Sequence, residues 1–394
     1  MTDNQHQQEQ AAVRGLLLAV SEEFGHPTAP EWEKALEAVP RHRFLPERIW
    51  LRNEDGILTA RAIQDDPDGW FAAAYANDPV VTQVNDGKDP GDDPWPSSSA
   101  SAPSIVVQML EMLELRAGMT VLEVGTGTGW NSALLSHRLG EQNVASIEVD
   151  PEVTARARTA LTAAGLTPEV VCGDGRRGWA VRAPFDRIEA TCSVTRVPGA
   201  WVEQTKPGGV ILTPWDNPWV CWGLLRLTVG ENGSAEGMFS PYSAFMLMRG
   251  QRTDLRIYRD VVHDEHVPDE SHTDLPAHEI AEEPWDAAFT IGMRLGNVWQ
   301  AWDEDPDVEG VARRLWLATT DTKSWAAVDD CGPDTPGFTV WQHGERRLWD
   351  ELAAAHAWWL AHGEPGPERF GVTVSASGDH TFWLDSPGSP LSDL

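Results

Sequence analysis

No run of this 394-residue chain approaches the roughly 18 consecutive apolar residues of a membrane-spanning helix, so a membrane span is not expected. The opening MTDNQHQQEQ has no basic stretch ahead of its short LLLAV run, so a secretory signal is not expected either. Cysteine is scarce. Cys172, Cys192, Cys221 and Cys331 are far apart, with no CxxC pair and no metal-ligand spacing. That excludes a disulfide scaffold, gives no reason to expect a metal, and suits a reducing cytoplasm. The Asn232-Gly233-Ser234 glycosylation acceptor is then without meaning. Positive charge is also short: 30 Lys and Arg stand against 61 Asp and Glu, a net charge of −31. Such a surface repels phosphate backbones, so nucleic acid is an improbable partner, whereas a cationic partner would be attracted. There is no GxxxxGK[ST] phosphate loop. An obvious Ser-His-Asp or paired-carboxylate constellation is also missing, which argues against a hydrolase.

What remains is an ordinary globular balance, 41% hydrophobic and 23% charged, with length for two or three domains. Residues 10–50 read as helical, with Trp32, Leu36 and Val39 on one face and prolines interrupting at 39–46. NDGKDPGDDPWPSSSAS (85–101) reads as a loop, either a surface linker or a substrate-facing lid. A helix with Pro103 in its first turn runs to about Leu115. Strands at 119–124, 144–149, 168–172, 185–191 and 210–213 then alternate with helices at 130–139 and 151–164. Asp150, Pro151 and Gly165 bracket the second helix. Alternation of this kind predicts a parallel sheet covered on both faces. WGLLRLTVG and AFMLMRG (222–250) would add an antiparallel pair around Glu231-Asn232-Gly233. A boundary falls near 250. Beyond it come an acidic stretch (260–310), a helix at 346–361 and a hairpin flanking Gly378-Asp379. Ten of the twenty tryptophans lie in this last region. The expected organisation is therefore a domain at 1–250 and a Trp-rich α+β extension at 251–394.

The strongest local signal is VLEVGTGTG (121–129), a glycine loop between a strand and a helix, where nucleotide-like ligands bind at the carboxyl end of a parallel sheet. A dinucleotide fingerprint needs glycine at position 130, where this chain has Trp130. That disfavours NAD and favours S-adenosylmethionine (SAM), which has no pyrophosphate to cradle. Glu148 closes the next strand about twenty residues on, where a carboxylate can accept from both ribose hydroxyls. Asp174, in Gly173-Asp174-Gly175 after the third strand, could accept from an adenine amino group. Methyl transfer to a carboxylate needs alignment in a dry pocket and no general base, because the acceptor is already ionised.

Residues 39–215 resemble the protein-L-isoaspartate O-methyltransferase family. The resemblance rests on VPRHRFLP (39–46), SAP (101–103), VLEVGTGTGWNSALLS (121–136), SIEVD (146–150), GDGRRGW (173–179), APFDRIEAT (183–191) and KPGG (206–209). It implies a Rossmann-like SAM-dependent methyltransferase core, a parallel sheet with a terminal antiparallel strand. It also implies that Gly125, Thr126, Gly127, Glu148, Asp174 and Gly175 bind the cofactor, joined by Glu123, Thr128, Gly129, Trp130 and Val149. The family's active-site serine falls on Ser101, with Ser99 beside it. Ser98 and Thr191 would line the substrate. For Ser101 a plain helix N-cap is the other reading.

The departures point to the substrate. Where the family usually reads Gly-Gln-Thr-Ile-Ser, this chain has Ser97-Ser98-Ser99-Ala100-Ser101 after a polar insertion, and the simple repair enzymes carry no such tail. The combination resembles a branch associated with ribosomally made, modified peptides. Members of that branch methylate an aspartate side chain; the backbone amide then attacks the ester, methanol leaves and an aspartimide (succinimide) forms. The expected activity is therefore carboxyl O-methylation of a modified precursor peptide. Repair of isoaspartyl protein is the alternative, and a SAM-binding regulatory module without turnover a second one. Trp341, Trp349, Trp358, Trp359 and Trp383 read as core, with a peptide groove as the other reading. His263-Asp264-Glu265-His266 reads as a solvated loop rather than a metal site.

Overall fold

The computed structural model describes residues 3–54, 56–91, 93–241, 244–252, 255–281, 285–331 and 337–391. Part of the acidic stretch, 282–284, lies outside the described residues. Three sheets form among the described residues, of four, nine and five strands. No helix among them is long and apolar enough to cross a membrane.

The nine-stranded sheet is the core. Its strands are β1 (Val121–Val124), β2 (Val144–Glu148), β3 (Glu169–Cys172), β4 (Phe185–Ala190), β5 (Thr205–Pro214), β6 (Leu224–Val229), β7 (Ala235–Ser240), β8 (Phe370–Val374) and β9 (His380–Leu384). They lie in the order β9-β8-β7-β6-β5-β4-β1-β2-β3. The half from β3 to β5 is parallel, and the half from β6 to β9 is antiparallel. The parallel strands are continuous apolar runs because both their faces are covered. Helix α1 (Trp130–Leu139) follows β1, and α2 (Pro151–Ala163) follows β2. Asp150 caps α2 by accepting from the amides of Glu152 and Val153 at 2.9 and 3.1 Å, with Pro151 in its first turn.

Four sequence expectations are corrected here. The helical reading of residues 10–50 holds only to Ala38, in helices Asp3–Phe24 and Pro30–Ala38. After one turn at Arg41–Phe44 the chain becomes a strand, Arg48–Arg52. The end of the 85–101 segment is also a strand, Pro96–Ala100, in a sheet ordered Leu58–Ala62, Arg48–Arg52, Val80–Val84, Pro96–Ala100. A serine run has poor strand propensity, and its pairing with Val80–Val84 overrides it. The partner of β6 is AEGMFS (235–240), not the apolar run at 244–250. Lastly, residues beyond 250 do not stay apart from the core. The 370–384 hairpin extends its sheet, pairing β8 with β7. Helix Trp285–Leu295 also buries Phe289 between Phe239 and Phe370, with ring centroids 5.2 and 5.6 Å apart.

The rest of the extension is a five-stranded antiparallel sheet, Asp269–Thr273, Phe338–His343, Trp325–Asp330, Arg313–Thr319 and Val298–Asp303 in spatial order, covered by helix Leu348–Ala361. Trp349, Trp359 and Trp383 are buried, and Trp341 and Trp358 are half-buried against the apolar clusters. The core reading of these five tryptophans is the one that fits.

Candidate active site

A cavity of about 680 Å³ opens at the carboxyl ends of β1, β2 and β4, roofed by the serine strand and by residues 244–252. On the sheet side it is lined by Glu123, Gly125, Thr126, Gly127, Thr128, Trp130, Glu148, Val149, Gly175 and Thr191. Ser98, Ser99 and Ser101 line it from the roof. Thirteen of the fifteen residues singled out from sequence therefore meet in one space. Gly129 and Asp174 do not line it. Gly129 has φ +87°, and a Cβ there would meet Leu161 and Ala157 of α2 at 3.3 and 3.4 Å, so it serves helix packing. Asp174 pairs with Arg176, whose guanidinium bonds both carboxylate oxygens and holds its carboxyl below the usual range.

The glycine loop is held from both sides. The Gly127 amide donates to Glu148 Oε2 at 3.0 Å, and the Asp150 amide donates to Oε1 at 3.1 Å. A carboxylate offers about four acceptor directions, so Glu148 keeps capacity for a diol. The Thr191 hydroxyl donates to the Gly125 carbonyl at 2.5 Å. Gly127 has φ +54°, and its missing Cβ would face the Ser99 carbonyl at 3.7 Å across the gap. Any side chain there would fill the space between loop and roof.

The end of the serine strand is pinned by one side chain. Arg41, 1% exposed, donates to the carbonyls of Ala74 and Ala76, each at 3.2 Å, and of Asp78, Ala100 and Ser101 at 3.0, 3.1 and 2.9 Å. Burial lowers its pKa to about 10, so it stays charged at neutral pH. The helix after Ser101 begins at Pro103, and its N-cap is Ala102, with no side-chain cap. Ser101 is therefore not spent as a cap. The hydroxyls of Ser99 and Ser101 make no hydrogen bond among the described residues.

Sequence reasoning missed the cationic wall. Arg249 bonds Asp150 at 3.0 Å, Gln83 at 2.8 Å and Asp86 at 3.1 Å; Arg252 bonds Asp86 at 3.1 Å and covers the Trp95 ring at 5.2 Å. Gln83 in turn donates to Asp150 at 3.0 Å and accepts from Ser97 at 3.0 Å. This network ties three distant segments together, and no local pattern announces it. Arg52 also lines the cavity; its guanidinium donates to the Gly56 carbonyl at 2.6 Å. Trp222 stands at the wall with Trp285 of the extension stacked on it, 4.9 Å away and tilted by 20°. Trp285 is 58% exposed. Cys192 lines the space too, but burial pushes its thiol up to about 12, so it is no nucleophile at neutral pH. Elsewhere, the His266 ring stacks on His343 at 4.0 Å and receives the Trp325 indole N–H at 3.0 Å. Among the described residues no group of three metal-ligating side chains converges.

A glycine loop, an acid at the end of the neighbouring strand and a cavity across them make this a methyltransferase core whose cofactor is SAM. The residues present fit that group: the side-chain-free gap at Gly127, the remaining acceptor capacity of Glu148, and a buried, unpartnered Asn131 Oδ1 at the cavity floor. Residues 67–220 match the family model of protein-L-isoaspartate(D-aspartate) O-methyltransferase. The chain is 38% identical over 222 residues to the protein-L-isoaspartate O-methyltransferase of Methylorubrum extorquens, 55% of this chain and 96% of that one. It is 34% identical over 220 residues to protein-L-isoaspartate O-methyltransferase 2 of Archaeoglobus fulgidus, covering 55% and 84%. With the Pyrococcus abyssi enzyme of the same name it is 44% identical over 127 residues, which is 31% of this chain and 58% of that protein. The chain thus belongs to the protein-L-isoaspartate O-methyltransferase family, although its match to the Pyrococcus abyssi enzyme spans under two thirds of that enzyme's length.

A solved structure described as a protein-L-isoaspartate O-methyltransferase superposes with a TM-score of 0.54 at 19% identity, covering 95% of this chain and all of that one. At that identity the likeness is one of fold. Because it covers nearly the whole chain, the expectation that the tail has no counterpart does not hold at the level of fold.

Proposed function

We propose that this protein is a SAM-dependent carboxyl O-methyltransferase that methylates an aspartate side chain of a ribosomally made, modified peptide, so that an aspartimide forms. The observation that carries the peptide reading is the aromatic step at the cavity wall. Trp285, from the extension, lies exposed on Trp222, so a segment of chain entering the cavity meets a flat apolar surface beside it.

When bound, the cofactor supplies an electrophilic methyl group; the acceptor carboxylate oxygen takes it, the C–S bond breaks and a neutral thioether remains. The chain's own residues do the rest. Gly125, Thr126 and Gly127 give close approach, and Glu148 accepts from the ribose. Ser101 and Ser99 present unpartnered hydroxyls to the acceptor carboxylate, and Arg52 offers it positive charge in an otherwise acidic protein. No base is required, because an aspartate with a pKa near 4 is already ionised. After methylation, the peptide's own amide nitrogen displaces methanol from the ester. Cys172, Cys192 and Cys221 are unbridged thiols, which supports a reducing, cytoplasmic setting.

Repair of isoaspartyl residues in proteins is the second reading, favoured by the names of the relatives. The test is to incubate the enzyme and SAM with the candidate modified peptide and, separately, with a short isoaspartyl peptide, and to follow mass. A gain of one methyl followed by loss of methanol on the modified peptide supports the first reading. Methylation of the isoaspartyl peptide alone supports repair. SAM binding with no transfer to either would leave a binding module.

A further inference from the structure

A free strand edge invites pairing with another chain, and proteins blunt it with charge, proline, bulges or a covering segment. The outer edge of β9 is covered: the Leu384 amide donates to the Ser389 carbonyl at 3.1 Å, and the Leu391 amide to the Phe382 carbonyl at 2.9 Å. At the end of the serine strand, Arg41 takes the Ala100 carbonyl. In the five-stranded sheet, the edge strand Asp269–Thr273 is polar throughout and opens on two acids. The opposite edge, Val298–Asp303, is different. It pairs with its neighbour in unbroken register and holds no proline, glycine or lysine. Trp299 and Trp302 lie half-buried on its two faces.

The pairing shows which backbone groups of this edge are spare. The Thr320 amide donates to the Asn297 carbonyl at 2.8 Å, so 297 and 320 form a hydrogen-bonded pair. Alternation along the ladder then turns Trp299 and Ala301 toward the neighbouring strand, and Gln300 and Trp302 away from it. No strand lies beyond them. Their amides and carbonyls have no partner among the described residues.

Charge and position define the partner. The chain leaves this strand through Asp303, Glu304, Asp305, Asp307 and Glu309, none of which forms a salt bridge among the described residues. Arg313, over the Trp302 ring at 4.5 Å, is itself paired with Asp330 at 3.6 Å. A second copy of this chain would bring the same acids and a net charge of −31 to the edge, so charge opposes self-pairing. A segment bearing Lys or Arg is complementary. Gln300 Nε2 donates to the Ala281 carbonyl at 3.4 Å, and Trp285, four residues further on, stacks on Trp222 at the cavity wall. Four residues span at most about 14 Å, which puts the edge within reach of a peptide seated in the cavity. We propose that Val298–Asp303 is the docking edge for an extended, Lys- or Arg-bearing segment of the substrate peptide, which joins the sheet as an added strand. The inference rests on the peptide reading given above. Backbone pairing supplies the affinity, the two tryptophans flank the added strand, and the acids hold its cationic end.

Fluorescence anisotropy with the full chain and a labelled KKVTVTVTKK peptide tests this. Wild type should bind the probe at low ionic strength. A fully N-methylated copy keeps the charge but has no amide donors, so it should bind at least about tenfold more weakly. Gln300→Pro removes an outward N–H that the existing ladder does not use, and should weaken the probe at least about tenfold. The triple variant Asp305→Asn, Asp307→Asn, Glu309→Gln should weaken it about three- to tenfold and flatten its salt dependence. Melting temperature and SAM affinity report folding; where Gln300→Pro melts low, the N-methylated probe and the triple variant decide. No binding by wild type, or equal binding of the N-methylated probe, would overturn the inference. So would a dimer in sedimentation that Gln300→Pro dissociates, which gives the edge to a second copy. Methylation of the modified peptide with one KM in wild type and both variants would overturn the docking edge and leave the peptide reading standing. Methyl transfer by wild type to a short isoaspartyl peptide alone would overturn the peptide reading instead.

Discussion

Replacing Arg41 by methionine separates what holds the serine strand from what holds the cofactor loop. Methionine keeps most of the buried volume and removes every donor. Five carbonyls lose their partner, and two of the five bonds, to Ala74 and Ala100, are fully buried. Each buried carbonyl left without a donor costs about 1–3 kcal/mol, whereas the other three can turn to water. Removing a charged group from a buried site returns part of its desolvation cost, so we expect a net loss of about 3 kcal/mol. At about 2 °C per kcal/mol for a large domain, melting should fall by about 6 °C. The local effect is larger than the global one, because the Ala100 and Ser101 carbonyls lose their anchor. Turnover should drop at least about tenfold. SAM affinity should change less than about threefold, since Thr191 and Glu148 hold the glycine loop independently. Arg41→Lys should fall between, because an ammonium group has three donors for five acceptors. Differential scanning calorimetry and initial rates measure both quantities. Wild-type melting together with wild-type turnover in Arg41→Met would refute the pinning argument.

Gly127→Val should lose SAM binding by at least tenfold in calorimetry, because a branched side chain at φ +54° is strained and fills the gap beneath Ser99. Ser101→Ala should lower turnover about ten- to a hundredfold, the worth of one hydrogen bond to a charged group, with SAM affinity unchanged; wild-type rates would make Ser101 a bystander. Trp285→Ala removes a stacked, exposed indole, so KM for the modified peptide should rise about three- to tenfold while SAM affinity and melting temperature stay put. An unaltered KM would detach the extension from substrate recognition.

The parallel half of the core sheet was legible because its signals are local. Apolar runs such as VLEV and VASIE need both faces covered, and Asp150, Pro151 and Gly165 punctuate α2 in ways any chain would use. The closing hairpin around Gly378 was legible for the same reason. The serine strand was not, since only Val80–Val84 makes Pro96–Ala100 a strand. Asp174 pairs with Arg176, two residues on, and stands outside the cavity lining, a placement that sequence could not foresee. The Arg249–Gln83–Asp150 network joins residues far apart in the chain, and distance of that kind leaves no periodic trace. Glu189 did carry a signal: of the two acids in the strand FDRIEA it stands toward the apolar end, where an unpartnered charge is costly.

The central claim is that the cavity over β1, β2 and β4 holds SAM, and a crystal structure with S-adenosylhomocysteine tests it most directly. The account predicts the ribose hydroxyls on Glu148 and the backbone of Gly125–Gly127 against the ligand. Density for the ligand in any other place, or an empty cavity at saturating ligand, would contradict it.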